Sequence, residues 1–302
     1  MKIFAGSYHE NIYEIILNKN NNTLAKKTYI KTTKPSYIMN LNGLAYLHTK
    51  DNLQYINLEN QNVLLTEPSC HISYDEKNQL VYSSSYHNGL LKVLAKENSM
   101  WFVKQTLSFG DKSKIHYADF IPTINLTGIC DLGLNKLNLY KVTENQELQF
   151  HASYFFNETG PRHFVFHNTL PIVYVLNELK PSIDCLIINE KGISLLQHIE
   201  LTPGAGSAIR ITKDNKQIFA AVRDANYLFN FSVLDDGTLS LKQKISSFGD
   251  HPRDFNLIDN DKHLLLANMK SDNIILYKIE NSLLIPIIID FNIKAISSII
   301  SL

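Results

Sequence analysis

A short motif recurs through the 302-residue chain at an almost constant interval. A turn residue, a polar residue and then an apolar strand appear at Pro35-Ser36, Pro68-Ser69, Ile115-His116, Pro161-Arg162, Gly206-Ser207 and Pro252-Arg253. Counted at the second residue, successive motifs lie 33, 47, 46, 45 and 46 residues apart. A unit of this size cannot bury its apolar faces alone, so the period calls for an array in which each unit packs on the next.

The segments between the motifs identify the unit. Apolar, β-branched runs of strand length recur at Leu80–Ser83, Leu137–Val142, Phe164–Phe166, Ile172–Leu176, Ile218–Val222, Tyr227–Val233, Leu264–Ala267 and Ile274–Ile279. Turn signals such as His87-Asn88-Gly89, Asp236-Gly237 and Asp259-Asn260-Asp261 separate them, and no stretch keeps a helical apolar period. Four short antiparallel strands repeated at this interval are the pattern of a β-propeller blade, and 302 residues make seven blades of about 43 each. The expected architecture is therefore all-β, a single domain over residues 1–302, with trimmed loops where the interval is 33. Residues Ala295–Leu302 read as a first strand with no blade behind it, and Met1–Thr32 as the other three strands of a blade that lacks one. Pairing the C-terminal strand into the N-terminal blade would close the ring and remove an exposed sheet edge. A pair of β-sandwiches is the competing reading, and the regular spacing favours the propeller. Residues 18–22, Asn-Lys-Asn-Asn-Asn, read as an exposed hairpin tip.

Charge and cysteine usage narrow the function classes. Lysine and arginine (29) balance aspartate and glutamate (29), so no global field draws the chain to nucleic acid or an anionic membrane, and an anionic ligand must meet a local cluster. The apolar run Leu283–Ile289 is far short of a membrane span, and Ser7, His9, Glu10, Asn11 and Glu14 break up any N-terminal secretory stretch. Cys70, Cys130 and Cys185 form no CxxC pair and leave an odd thiol, which fits a reducing compartment and a cytoplasmic location. No phosphate-binding glycine loop, GxGxxG or GxSxG occurs, so no cofactor is expected. His9, His48, His87, His151, His198 and His263 have no ligand partner at metal spacing, and no metal is expected.

In a propeller the first strand of each blade lines the central channel, so motif residues form a ring at one mouth. By this register the ring holds Ser36, Ser69 (with Cys70 and His71 just beyond), His116, Arg162, Ser207, Arg253 and Ser297. A second slot 17 residues after each motif start is filled by Ser85, Leu132, Glu178, Arg223 and Met269. His116, Arg162, Glu178, Arg223 and Arg253 are thus expected to converge on one pocket, with His71 close by. Guanidinium groups bind phosphate or carboxylate and stabilise an oxyanion, while histidine or glutamate moves protons, so the set suits acyl chemistry on an anionic small molecule. His163 and His167 alternate with Phe164 and Phe166 and read mainly as packing, although His163 joins His71, Arg253 and Ser207 among the candidate substrate contacts. Blade-to-blade ion pairing is the structural alternative for each charged residue.

Gly160-Pro161-Arg162-His163-Phe164-Val165-Phe166-His167, followed by Asn177-Glu178, resembles the most distinctive stretch of the seven-bladed propeller 6-phosphogluconolactonases. Pro68–Ser73 with Ser84–Gly89, His116 with Asp131-Leu132-Gly133, Ser207–Ile211 with Arg223, and His251–Phe255 extend the likeness over about the whole chain. The resemblance implies cofactor-free hydrolysis of 6-phospho-D-glucono-1,5-lactone to 6-phosphogluconate in the pentose phosphate pathway; separately, a monomer or weak homodimer is expected. Related fungal propellers cyclise a carboxymuconate, and the histidine, two arginines and glutamate proposed there match His116, Arg162, Arg223 and Glu178. On that pattern His116 or Glu178 activates water, Arg162 or Arg223 stabilises the oxyanion, and the remaining cations hold the phosphate. The chain departs from the family at Arg210, where many members have histidine, and at the eroded turns Asp75-Glu76, Ile124-Asn125 and Asp214-Asn215. Another lactonase, a cycloisomerase and a propeller that only binds a partner remain the alternatives.

Overall fold

The computed structural model describes residues 2–18, 21–189 and 192–302. Among them the chain is all β: strands follow one another from Ile3–Ser7 to Ile296–Ser301, and no helix long and apolar enough to cross a membrane is present. The strands fall into seven four-stranded antiparallel units, called blades here. Blade 2 runs through Ile38–Asn40, Leu44–Lys50, Leu53–Leu58 and Gln61–Leu65; blades 3 to 7 begin at His71–Asp75, Ile115–Ile121, Pro161–Phe166, Ala205–Ile211 and Pro252–Ile258. Blade 1 consists of Ile3–Ser7, Glu10–Asn18 and Thr23–Thr33, with Ile296–Ser301 lying antiparallel on Ile3–Ser7 in the register Ile3↔Ser301 to Gly6↔Ser298. A single bridge, Thr33↔Thr49, links blades 1 and 2 into one hydrogen-bonded sheet. The hairpin tip expected at 18–22 falls partly on residues 19 and 20, which lie outside the described residues, as does Met1.

Position in the blade explains burial. Second strands such as Leu80–Ser85, Leu126–Asp131 and Ile172–Asn177 are buried at every residue, because neighbouring blades cover both faces. Outer strands such as Gly192–Glu200 and Leu239–Ser246 have solvent on one side and are largely exposed, with partly buried residues between the exposed ones. The buried apolar side chains gather in the seams between consecutive blades. Ile183 and Cys185 of blade 5 meet Phe229 and Phe231 of blade 6, and Leu265 and Ala267 of blade 7 meet Ile3, Ile15 and Ile299 of blade 1. First strands pack on first strands around the axis, Pro252–Ile258 on Ile296–Ser301 and the latter on Ile38–Asn40.

Glutamines fasten the outer strands. Leu239 N–H donates to Gln197 Oε1 (2.7 Å) while Gln197 Nε2 donates to the Leu239 carbonyl (3.0 Å). The same two-bond latch joins Gln61 to Trp101, Gln105 to Leu148 and Gln243 to Leu284. Each satisfies a backbone donor and acceptor that the in-sheet ladder leaves over at the start of the next blade's last strand.

Candidate active site

The recurring motif proves to be a β-bulge. In blades 4 to 7 the pairing of first and second strands slips between Ile115 and Tyr117, Pro161 and His163, Gly206 and Ala208, and Pro252 and Asp254. The residues passed over are His116, Arg162, Ser207 and Arg253, the polar members of the motif. In blade 1 the slip passes over Ser297. A bulge inserts one unpaired residue and re-aims its side chain, here at the axial end of the first strand. In blade 3 the corresponding residue is Cys70: its thiol reaches the His116 carbonyl at 3.5 Å, and His71 packs on Tyr117 at 4.2 Å between ring centroids. The expected register placed Ser69 there, one residue early, because Pro68-Ser69 imitates the Pro-polar pair of other blades.

A cavity of about 590 Å³ opens at this mouth. Tyr8, Lys34 and Ser36 from the region of blades 1 and 2, Cys70, Tyr86 and His87 from blade 3, His116, Glu178 and Arg253 line it. Of the expected set, His116, Glu178 and Arg253 therefore face one space. Arg162 and Arg223 do not line it; they lie behind Glu178 and hold it. Arg162 Nε donates to Glu178 Oε2 at 2.7 Å, and Arg223 NH2 lies 2.9 Å from Oε1. Arg162, only 2% exposed, also donates to the Ser207 carbonyl and lies 3.0 Å from His163 Nε2. Its expected part as oxyanion donor is therefore replaced by a grip on the carboxylate. The glycine of Gly160-Pro161 adopts φ +69°, open to glycine and costly for other residues, and the Glu178 N–H donates to its carbonyl at 2.7 Å.

Electrostatics follow from this packing. Burial alone would raise the Glu178 pKa, but Arg162 and then Arg223 outweigh it and hold the carboxyl below its ordinary range. Burial, followed by Arg162 and Arg253, drives His116 well below the ordinary histidine value, so its imidazole is neutral near pH 7. Its Nδ1 is buried without a hydrogen-bond partner. Arg253 has no carboxylate partner among the described residues; its NH2 donates to the Tyr8 hydroxyl at 3.0 Å.

His71 and His163, expected at the mouth, sit one layer deeper in the channel. Their rings are 5.7 Å apart, and Tyr117 lies 4.2 Å from the first and 4.8 Å from the second. Neither lines the cavity. Burial first, with Arg210 and Arg162 next for His71 and Arg162 and His116 next for His163, lowers both below the usual histidine range. Ser207 is fully buried and its hydroxyl donates to the Pro252 carbonyl at 2.6 Å, with the Ala221 carbonyl 3.1 Å away, so it joins blades 6 and 7 rather than touching the cavity. Sequence reasoning missed Tyr8, Lys34, Tyr86 and His87, which sit on turns and linkers outside the motif. Tyr86 and His87 alone had a signal, their place in the turn directly after a second strand. No cluster of three or more potential metal ligands occurs among the described residues.

Comparison with known proteins places these features. The family described as Lactonase, 7-bladed beta-propeller matches residues 2–287. A Bacillus subtilis protein named 6-phosphogluconolactonase is 27% identical over 281 residues, 84% of this chain and 80% of that protein. A crystal structure of a Lactobacillus plantarum protein superposes with TM-score 0.91 at 25% identity over 99% of both chains. A periplasmic gluconolactonase of Pseudomonas aeruginosa has the same fold, with TM-score 0.85 at 18% identity over 99% of this chain and 98% of that one.

Proposed function

This chain belongs to the family of seven-bladed β-propeller lactonases, and on that premise we propose that it hydrolyses 6-phospho-D-glucono-1,5-lactone to 6-phosphogluconate. The observation that carries the reading is the meeting of a neutral imidazole, a doubly gripped carboxylate and an unpaired guanidinium in one cavity: His116, Glu178 and Arg253. The Bacillus subtilis relative named 6-phosphogluconolactonase supports the substrate.

His116 is the better base of the two candidates, because its neutral ring has a free lone pair while both oxygens of Glu178 are engaged by arginines. In the proposed step a ring nitrogen of His116 takes a proton from water as the water oxygen bonds to C1 of the lactone. Negative charge builds on the carbonyl oxygen, and Arg253, a cation of the cavity lining without a carboxylate partner among the described residues, is placed to receive it. The C1–O5 bond then breaks, the imidazolium returns its proton to O5, and the product acid ionises into solvent. Glu178 orients the water or a substrate hydroxyl as an acceptor. Arg162 and Arg223 keep it ionised and in place.

The cavity draws Tyr8 from blade 1 and Arg253 from blade 7. We therefore also read the pairing of Ile296–Ser301 with Ile3–Ser7 as the closure of the ring, which brings the two blades together. Three free thiols, at Cys70, Cys130 and Cys185, support a cytoplasmic location.

The test is a coupled assay with freshly prepared lactone, corrected for spontaneous hydrolysis, on wild type, His116→Gln and Glu178→Gln. Each variant is expected to lose about 100-fold or more in kcat, the usual worth of a positioned proton-transfer group. Glu178→Gln leaves two buried guanidinium groups without their carboxylate, so its thermal unfolding is measured alongside. Wild-type rates in both variants would end the proposal. A preference for a carboxymuconate would make the protein a cycloisomerase, and no rate above the blank would leave a binding module.

A further inference from the structure

The glutamine latch has a counterpart position in the seam between blades 4 and 5, and there the residue is Ala152. In blades 3, 5 and 6 the latch glutamine sits where the pairing of third and fourth strands slips: Gln105 opposite Val93, Gln197 opposite Cys185 and Gln243 opposite Asn230. In blade 4 the same slip puts Ala152 opposite Leu139. Its methyl group can neither donate nor accept a hydrogen bond. Ile30 of blade 1 and Ile288 of blade 7 hold the equivalent place too, but both pack into apolar clusters.

The backbone that a latch would meet is nonetheless in place. Ile193 stands opposite Ile188 in blade 5, as the latched Leu239 stands opposite Val233 and Leu284 opposite Ile279. The Ile188 N–H is spent on the Pro171 carbonyl at 2.8 Å, as that of Val233 is on Lys216 and that of Ile279 on Lys262. Opposed residues of an antiparallel pair exchange both hydrogen bonds or neither. The Ile193 N–H and C=O therefore point out of the ladder, on the side where the latch glutamines of other blades arrive.

A cavity of about 840 Å³ adjoins them, lined by Ala152, Ile188 and Gly192, the residue before Ile193. It lies at the far end of the first strands from the catalytic mouth: Asn78, Asn125 and Pro171 on its wall belong to the turns after His71–Asp75, Ile115–Ile121 and Pro161–Phe166. Lys77, Lys141 and His151 also line it, and no described carboxylate does. The latches show what this backbone edge accepts: a carboxamide, whose oxygen takes the N–H and whose NH2 gives to the carbonyl. A carboxylate of the same shape could take the N–H but would turn a second acceptor on the carbonyl. We propose that the seam between blades 4 and 5 is a ligand site for a small molecule bearing a primary carboxamide and an acidic group. The amide docks on Ile193 as the glutamines do in the other seams, and the acid meets Lys77 or Lys141.

The probe is glutaramate, a five-carbon chain with a carboxamide at one end and a carboxylate at the other. Glutarate replaces the amide by a second carboxylate, and pentanamide lacks the acid. Titration of glutaramate into 15N-labelled wild type should shift the Ile193 amide resonance saturably, with a dissociation constant of about 1–10 mM, the range open to so few atoms. Glutarate and pentanamide should each bind about fivefold more weakly or worse. Ala152→Gln should abolish the binding, slow hydrogen exchange at the Ile193 amide and leave kcat unchanged. Ala152→Leu fills the same space without a carboxamide, so it should block glutaramate and leave that exchange fast. Either control ligand binding as tightly as glutaramate, undiminished binding in Ala152→Gln, or no saturable shift up to about 100 mM overturns the site and leaves the cavity to water. Should the larger side chains unfold the protein in a thermal scan, the three probes on wild type still decide. None of the binding readouts depends on lactone hydrolysis, so the two proposals stand or fall separately.

Discussion

At the scale of single residues, the site divides into groups that face the cavity and groups that hold them. Glu178 is ionised because two guanidinium groups overcome its burial, and His116 is neutral because burial and surrounding cations disfavour its charged form. The sign of the second shift fixes a pH dependence. A base works when deprotonated, so lowering its pKa moves the acid limb of the rate profile to lower pH. Arg162, Arg253, His71, Arg223 and Tyr86 surround His116, and the Glu178 carboxylate that shares its cavity does not outweigh burial and these cations. kcat/KM should therefore stay level as pH falls through 6.5 and decline only below it, measured with the spontaneous rate subtracted. A limb centred at or above pH 6.5 would show that a different group is the base.

At the scale of elements, the bulge at the start of the first strands of blades 1 and 4 to 7 sets the site and the glutamine latch sets the frame. The bulge decides that His116 and Arg253 leave the ladder at the mouth, while in blade 6 the same position holds a serine spent on backbone carbonyls. The latches lie on outer strands, away from the cavity. Gln197→Met keeps roughly the length of the side chain but leaves the Leu239 N–H and carbonyl without their partner. Removing such a partner from poorly solvated backbone groups should cost about 1–3 kcal/mol. Urea unfolding should register that loss while kcat remains at the wild-type value. A variant as stable as wild type would mean that water replaces the amide at no cost.

At the scale of the whole molecule, the axis carries an acid sensitivity. His71, His116 and His163 are each shifted below the ordinary value, so the unfolded chain takes up protons on them from about pH 6.5 downward while the folded protein does not. Stability then falls as pH drops below 6.5. Asp119 works the other way. Burial raises it to about 7, so the folded protein holds a proton there that the unfolded chain releases until the pH reaches the ordinary aspartate range. The lowered histidines outnumber Asp119, so the net effect is a loss of stability as pH falls from 6 to 5. His167 and His251 are shifted in the same direction as the other three. Denaturant titrations at half-unit steps would measure it, and a flat profile from pH 7 to 5 would contradict the burial of these rings.

What the sequence determined by itself was the repeat, the all-β character and the identity of the ring positions outside blade 3, where Cys70 takes the place expected of Ser69, because each is encoded locally: strand-length apolar runs, turn residues and a polar residue at a regular interval. It also named His116, Glu178, Arg162, Arg223 and Arg253 as neighbours, since equivalent positions of a radial array must share an end of the axis. Only the tertiary structure decided which of them face the cavity. That choice depends on side chains from different blades competing for the same space: Arg162 and Arg223 are drawn to the one carboxylate between them, Ser207 to a neighbouring carbonyl, and His71 and His163 into an aromatic stack below the mouth. Tyr8 and Lys34 were equally hidden, because their place on the cavity is set by how connecting segments fold over the seams and not by any period in the chain.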